Sequence, residues 1–427
     1  MNGSIEGVRK LNFMKDLNVG IFSKSDAGGG GASRVAEQLT ELLRSFGVPV
    51  VHWVKRASNR MKPAGVRRIY SHPVLRTMYE GARVVDRKLG LAEVIPFEWP
   101  GLIHHGIPNA HNIFHFHDIS TSFSPLSLPV LSRKAPVFWT IHDCSPFTGG
   151  CLYPHECNKF KNSCGACPRL GEWPIDGWID TTHWIHSIKR AIFSRADIHL
   201  IAPSRWMSDR ICEAAVFKNK PVHIPYGVDT LTFRPLAQNQ VRDLLNLPRD
   251  RLLVLISAFN LDDSRKGVLT SIKALHAVAD LDPYVLIMGN PSRRLANELA
   301  PLSFREFGYI HDDLLKAQIY SAADVFLFCS IADNLPLAVL ETMSSGTPTV
   351  GFATGGIPEL VLHERIGYLV DNGDIDGLAS GLRLASDSAT RLRWSEGCAI
   401  RAREHFSNSQ FLNRHLALYQ AAHQKNQ

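Results

Sequence analysis

Short apolar runs rich in β-branched residues alternate along this chain with stretches whose apolar positions recur at helical spacing. Residues 17–23, 48–54, 113–117, 136–142 and 197–203 read as buried strands, and residues 33–46 as a helix between the first two. A second series follows the turn Ile224-Pro-Tyr-Gly-Val-Asp229. It has strands at 252–258, 284–289, 324–330 and 347–352, with helices at 266–279, 312–322 and 336–345. Strand–helix alternation of this kind predicts parallel sheets with crossover helices. Two such series predict an α/β protein of two Rossmann-like domains facing a central cleft. We place the first domain at 1–224, with an irregular, cysteine-rich insertion at 144–178, and the second at 225–405. Residues 406–427 are expected to form a helix that packs back toward the first domain.

Length agrees with that division, because 427 residues exceed what one hydrophobic core usually organises. The composition, 45% hydrophobic and 20% charged, is that of ordinary globular proteins. Apolar runs stay well short of the roughly 20 residues that span a bilayer. Residues 1–16 mix charge and polarity and lack a signal-peptide core, so a cytoplasmic location is expected. A net charge of +7 favours anionic partners such as nucleotide phosphates, a lipid diphosphate or an acidic lipid surface. Without a concentrated Lys/Arg block, nucleic acid is not an expected partner. Residues 184–195 are apolar and basic at helical spacing, which suits either a half-buried helix or attachment at the inner membrane face.

Candidate chemistry gathers after the strands, where ligands of such sheets bind. Asp333 and Glu341 lie eight positions apart, so both carboxylates can face one side, with Asp333 just before the helix begins. Asn334 and Leu335 are expected to offer free N–H groups at that helix's N-terminus, a site for phosphate. Arg265 and Lys266 stand where the first helix of the second domain should begin. Two cations there oppose the helix dipole unless an anion joins them. A run of four glycines at 28–31 lets backbone approach a ligand, yet it fits neither a Walker A loop nor the dinucleotide fingerprint. His142, and with it His115 and His117, ends a strand, as a cleft residue or as a strand-end cap.

Five of the eight cysteines cluster. Cys151, Cys157, Cys164 and Cys167 form C-x5-C-x6-C-x2-C, with Cys144 just ahead. The spacing suits a structural zinc held by four thiolates, with free thiols or a disulfide pair as the alternatives.

Taken together, Arg265-Lys266-Gly267, Gly308-Tyr-Ile310, Ser330, Asp333-Asn-Leu-Pro336, Glu341, Gly346-Thr-Pro348 and Gly355-Gly-Ile-Pro-Glu359 resemble the donor domain of GT-B glycosyltransferases, specifically the retaining glycosyltransferase family 4. Thr140-Ile-His-Asp143 and Ala202-Pro-Ser-Arg205 extend the resemblance through the first half. The stretch from His142 to Cys167-Pro168 is similar to members that build exopolysaccharides, the colanic-acid type among them.

The resemblance implies a nucleotide-sugar donor, UDP- or GDP-linked, and a glycan or lipid-linked acceptor. It implies that Lys266, helped by Arg265, binds the diphosphate, and that Tyr309 and Ile310 hold the base. Glu341 would bind the ribose and Asp333 the sugar. Gly29 and Gly30 would approach the phosphate, and His142 would lie near the transferred sugar. The N–H groups after Asp333, those of Asn334 and Leu335, would meet sugar or phosphate. No catalytic metal is expected, and front-face displacement with retention is the implied path.

Two positions depart from the family. Asp333 replaces its usual Glu with a side chain one methylene shorter, and Leu261 occupies a place where Arg is common. The competing readings are another GT-B enzyme, an epimerase or phosphorylase, and a non-catalytic adaptor built on the cysteine knuckle. An NAD oxidoreductase is disfavoured, because the required glycine fingerprint is missing.

Overall fold

The structure is a computed structural model and describes residues 16–425, apart from 58–64, 71–72, 92–93, 121, 291 and 293–294. The N-terminal extension up to residue 15 lies outside that range. The chain forms two compact units, residues 1–224 with 412–427, and residues 225–411.

The first unit holds a seven-stranded sheet. Its strands are β1 (Val19–Ser25), β2 (Val50–Arg56), β3 (Val66–Arg68), β4 (Ile113–Phe116), β5 (Val137–Thr140), β6 (His199–Ala202) and β7 (Val222–His223), in the order β3-β2-β1-β4-β5-β6-β7. The second unit holds β8 (Leu253–Asn260), β9 (Tyr284–Asn290), β10 (Ser303–Glu306), β11 (Val325–Phe328), β12 (Thr349–Phe352) and β13 (Gly367–Val370), in the order β10-β9-β8-β11-β12-β13. Every pairing between these strands is parallel. Both sheets therefore contain the doubly wound order, which reverses at β1/β4 in one and at β8/β11 in the other.

Because helices cover both faces, central strands read as unbroken apolar runs. All four residues of β4, β5, β11 and β12 are buried. The first core gathers Phe22, Trp53, Phe114, Phe116 and Trp139, and the second gathers Val254, Ile256, Leu275, Val285 and Leu327.

The edge strands escaped the sequence pattern. Strands β3, β7, β10 and β13, two to four residues long, stand at the sheet edges, where pairing more than an apolar run defines them. Residues 144–181 carry only two 3-10 turns, Ser145–Phe147 and Lys159–Lys161. The basic, apolar segment after them is the helix Thr182–Phe193, which buries Ile185, Lys189 and Phe193. Trp184 stays 69% exposed on its other side. Among the described residues no helix is long and apolar enough to cross a membrane.

The final helix, Asn408–Lys425, places Tyr419 at full burial within the first unit. Its hydroxyl lies 2.6 Å from His115 Nδ1, and its ring packs on Phe138 with centroids 4.9 Å apart.

Candidate functional site

In the second unit, three loops are sewn together at the C-terminal ends of β8, β11 and β12. The loop after β8 turns at Asp263, whose carboxylate accepts from the N–H of Arg265 (3.0 Å) and caps the 3-10 turn Ser264–Lys266. Gly267 follows at φ +64°, and a Cβ there would lie 1.9 Å from the Cys329 carbonyl oxygen. Only glycine lets this loop cross the end of β11 so closely. The Arg265 carbonyl accepts from the Ile331 N–H (2.9 Å) and the Ser330 hydroxyl (3.2 Å). Arg265 Nη1 donates to the Ala332 carbonyl (2.8 Å). The loop after β12 joins through Thr354, whose hydroxyl donates to the Ser330 carbonyl (2.7 Å). It joins again at Gly355, which at φ +57° has no room for a Cβ against the Asp333 carbonyl, 1.7 Å away.

This knot brings charges together at the β8/β11 reversal. Lys266 Nζ stands 2.5 Å from Asp333 Oδ2, with Arg265 Nη1 3.7 Å from the same oxygen. All three side chains keep partial access to solvent, between 13% and 29%. Asp263 Oδ2 also pairs with Arg265 Nη2 (3.2 Å), so two cations meet two carboxylates on a frame fixed by backbone bonds.

Glu341 sits on the helix Leu337–Ser344 and is 7% exposed. The Tyr320 hydroxyl donates to its Oε2 (3.0 Å), and Lys316 Nζ lies 3.9 Å from the same atom. Tyr309 follows β10 after Gly308, which has φ +67° and accepts at its carbonyl from the Gly289 N–H (3.0 Å). The Tyr309 ring stands edge-on to Phe259 and to His311, with centroids 5.1 and 4.4 Å away. Ile310 beside it is half-buried.

Two local expectations are corrected. The helix begins at Leu337 with Pro336 as its N-cap, so Asp333 lies in the loop before it, where the residue order puts it. Asn334 and Leu335 are buried in the loop ahead of the cap, and the free N–H groups of the first turn start at Leu337. Proline cannot donate and holds an extended backbone before the helix, which moves its start downstream. Likewise Arg265 and Lys266 lie in the 3-10 turn, and the following helix is Val268–His276.

In the first unit, the glycine run is a 3-10 turn, Ala27–Gly29, followed by the helix Gly31–Ser45. Gly30, at φ +105°, is the N-cap. A Cβ on Gly29 would lie 2.4 Å from the Ser25 Cβ, so the turn packs tightly on the end of β1. The Ala27 N–H donates to Glu37, the Gly28 N–H to the Asp26 carboxylate (3.3 Å) and the Gly29 N–H to the Asp26 carbonyl (2.9 Å). An anion at this turn would therefore meet the first turn of the helix rather than these three groups.

His142 follows β5 and is buried. Its Nε2 lies 3.1 Å from His117 Nδ1, and the rings stack. His117 Nε2 is buried without a hydrogen-bond partner, so a proton there would be an unpaired donor. The proton therefore belongs on His117 Nδ1, which donates, and His142 Nε2 accepts. His115 bonds Thr140 Oγ1 through Nε2 (2.8 Å) and stacks on His415.

Burial keeps these rings neutral. It pushes His142 and His52 down to about 4, and His115 and His117 well below the usual imidazole value. The nearby charge of Asp118 opposes this at His142, and that of Asp26 opposes it at His52. Unfolded histidines take up protons below about pH 6.5, whereas the folded ones resist until about 4. Stability is thus complete above about pH 6.5 and falls as pH drops toward 4, at about 1.4 kcal/mol per unit per ring. Urea midpoints at pH 7.5 and 5 should show this loss, and His117→Asn should reduce its slope. Equal midpoints would remove the buried-histidine account.

Cys151, Cys157, Cys164 and Cys167 line one small pocket, together with Lys159 and Phe160. Cys144 does not join them and is fully buried in the first core. Burial raises the thiols, Cys151 to about 12 and Cys164 to about 11. Among the described residues, no three His, Cys, Asp or Glu side chains stand in a metal-holding arrangement.

Comparison with known proteins gives this geometry a family. Residues 29–231 match the profile of Glycosyltransferase Family 4, and residues 250–387 that of Glycosyl transferases group 1. Together the matches span most of the chain. The chain belongs to the family 4, group 1 glycosyltransferases. A sulfoquinovosyl transferase of Arabidopsis thaliana is 30% identical over 227 residues, covering 50% of this chain and 42% of that protein. The chain spans about half the length of the curated relatives it matches. Two solved structures share the fold over 95% of the chain. Sucrose-phosphate synthase from Thermosynechococcus elongatus has a TM-score of 0.66 at 20% identity, with 98% of it covered. HepE of Anabaena, in complex with UDP-glucose, has 0.67 at 13%, with 99% covered. The fold of this family member is GT-B.

Phe259 and Tyr320 were not found from sequence. Phe259 is an exposed aromatic at the end of a buried strand, a pattern visible in the residue order. Tyr320 looks like ordinary helix core, and only its partner, Glu341, reveals its use.

Proposed function

We propose that this glycosyltransferase moves a sugar from a UDP- or GDP-sugar to a glycan or lipid-linked acceptor, with retention of configuration, in surface-polysaccharide synthesis on the cytoplasmic side of a membrane. One observation carries the donor reading: backbone-locked loops at the β8/β11 reversal hold Arg265 and Lys266 side by side around Asp333. A diphosphate arriving there would take over Lys266 from Asp333, and Asp333 would then be free for a sugar hydroxyl. Glu341, oriented by Tyr320, suits the ribose, and the exposed pair Tyr309 and Phe259 suits the base. The UDP-glucose complex of HepE, which has the same fold, supports such a donor.

On this reading the leaving diphosphate is stabilised by Lys266 and Arg265 in place of a metal. The donor phosphate takes the acceptor's proton on the face that the leaving group departs. The His142–Cys167 stretch supports the polysaccharide role through its likeness to exopolysaccharide-building members. Exposed Trp184 and the chain's net positive charge support contact with an acidic membrane surface.

The test is a thermal-shift series with UDP, GDP, UDP-glucose and GDP-mannose, followed by NMR assignment of the product anomer. One nucleotide series should raise the melting point, by about 2.7 kcal/mol of stabilisation at 100 times its Kd. Glu341→Gln should weaken that binding about 10- to 100-fold, the worth of charged hydrogen bonds to a hydroxyl pair. Asp333→Asn should behave oppositely toward the free nucleoside diphosphate. It releases Lys266 and should tighten binding, while slowing sugar transfer. No shift with any of the four would end the donor-site assignment, and an inverted anomer would end retention.

A further inference from the structure

We propose that Cys151, Cys157, Cys164 and Cys167 form a structural zinc site that fastens the long loop between β5 and the helix Thr182–Phe193. All four thiols line one small pocket, although they come from a seventeen-residue stretch with a single 3-10 turn. Such a stretch has little regular structure to hold its course and gains most from a cross-link.

The backbone around the sulfurs is arranged for thiolates. The Gly149 N–H points at Cys164 Sγ (3.2 Å), and the Arg169 N–H bonds Cys167. Gly165 at φ +123° and Ala166 at φ +41° form a tight turn between the last two cysteines. Lys159 Nζ holds that turn through the carbonyls of Gly165 (3.1 Å) and Ala166 (2.7 Å). Asp180 accepts from the Cys167 N–H (2.7 Å) and also caps the start of the next helix at Thr182 (3.0 Å). Backbone donors aimed at two sulfurs, beside a lysine ammonium, would offset the negative charge of a four-thiolate zinc centre.

The sulfurs line the pocket without already closing on a single point. On binding, zinc draws them in: four Zn–S bonds form, the thiol protons leave to solvent, and nothing is oxidised or reduced. The site has no part in sugar transfer. Its effect is to hold the loop that starts just after His142-Asp143, where Lys189 Nζ already ties the Ser145 (2.7 Å) and Thr148 (3.3 Å) carbonyls.

The full chain, purified without chelators and with thiols kept reduced, should carry about one zinc per chain by elemental analysis. Cobalt exchanged into it should give the thiolate charge-transfer band and the visible bands of a tetrahedral sulfur site. Cys164→Ser with Cys167→Ser should lose both the metal and the cobalt spectrum, measured on the monodisperse folded fraction. Cys212→Ser, exposed and outside the pocket, should keep both. If the double variant does not fold, Cys167→His should retain zinc and shift the cobalt bands, because imidazole can replace one thiolate. A wild-type chain without zinc after reconstitution, zinc retained by the double variant, or a thiol count showing disulfides would each overturn the proposal.

Discussion

Lys266→Ala should lower kcat by about 10²- to 10³-fold, the usual loss when one preorganised group that stabilises developing charge is removed. Lys266 is held beside Asp333 on a turn that three hydrogen bonds join to the loop after β11, which the Thr354 hydroxyl in turn ties to the loop after β12. Its position is therefore set before any ligand arrives, and the chemistry incurs little reorganisation. Its side chain is 20% exposed, so truncation leaves no large cavity and the melting point should change little. Single-turnover rates would separate transition-state loss from weak donor binding. A pure rise in KM with kcat intact would mean that Lys266 only binds the ground state. Normal turnover would remove it from the site altogether.

Asp324→Ala should destabilise the second unit by about 3–5 kcal/mol, the cost of stripping one partner from a buried ion pair. Asp324 is 3% exposed and lies just before β11. One oxygen accepts from the Leu253 N–H (2.8 Å) at the start of β8, and the other pairs with Arg242 (2.8 Å) and Arg391 (3.1 Å). Arg242 is buried as well, at 4%, so removing the carboxylate strands a guanidinium in the core. The same contact joins β8 to β11, the two strands whose ends carry Arg265, Lys266 and Asp333. Urea unfolding should show a lowered midpoint, with Arg391→Ala, whose side chain is 26% exposed, costing clearly less. If Asp324→Ala cost no more than Arg391→Ala, the buried network would not be what holds these strands.

Much of this architecture was legible in residue order because buried parallel strands leave unbroken apolar runs. Residues 324–330 and 347–352 read as strands for that reason, and β11 and β12 lie within those stretches. The edge strands β3, β7 and β13 were not legible, since pairing partners define them more than their own side chains do. The resemblance carried by the motifs around Lys266, Asp333 and Glu341 also implied a nucleotide-sugar donor. The place of the free N–H groups was misread, because Pro336 is the N-cap and the first helical turn starts at Leu337, beyond Asn334 and Leu335.

The sequence by itself determined the two doubly wound halves, the kinds of charge at the β8 and β11 ends, and the cysteine spacing. Those follow from local rules: apolar period, glycine where no Cβ fits, and residue chemistry. Tertiary structure alone decided that Lys266 and Arg265 share one carboxylate, that Glu341 is oriented by Tyr320, and that His117 donates to His142. Each of these contacts joins residues 21 or more positions apart. Such contacts exist only once sheet order has brought separate strand ends together, and a sequence pattern carries no distance across that gap.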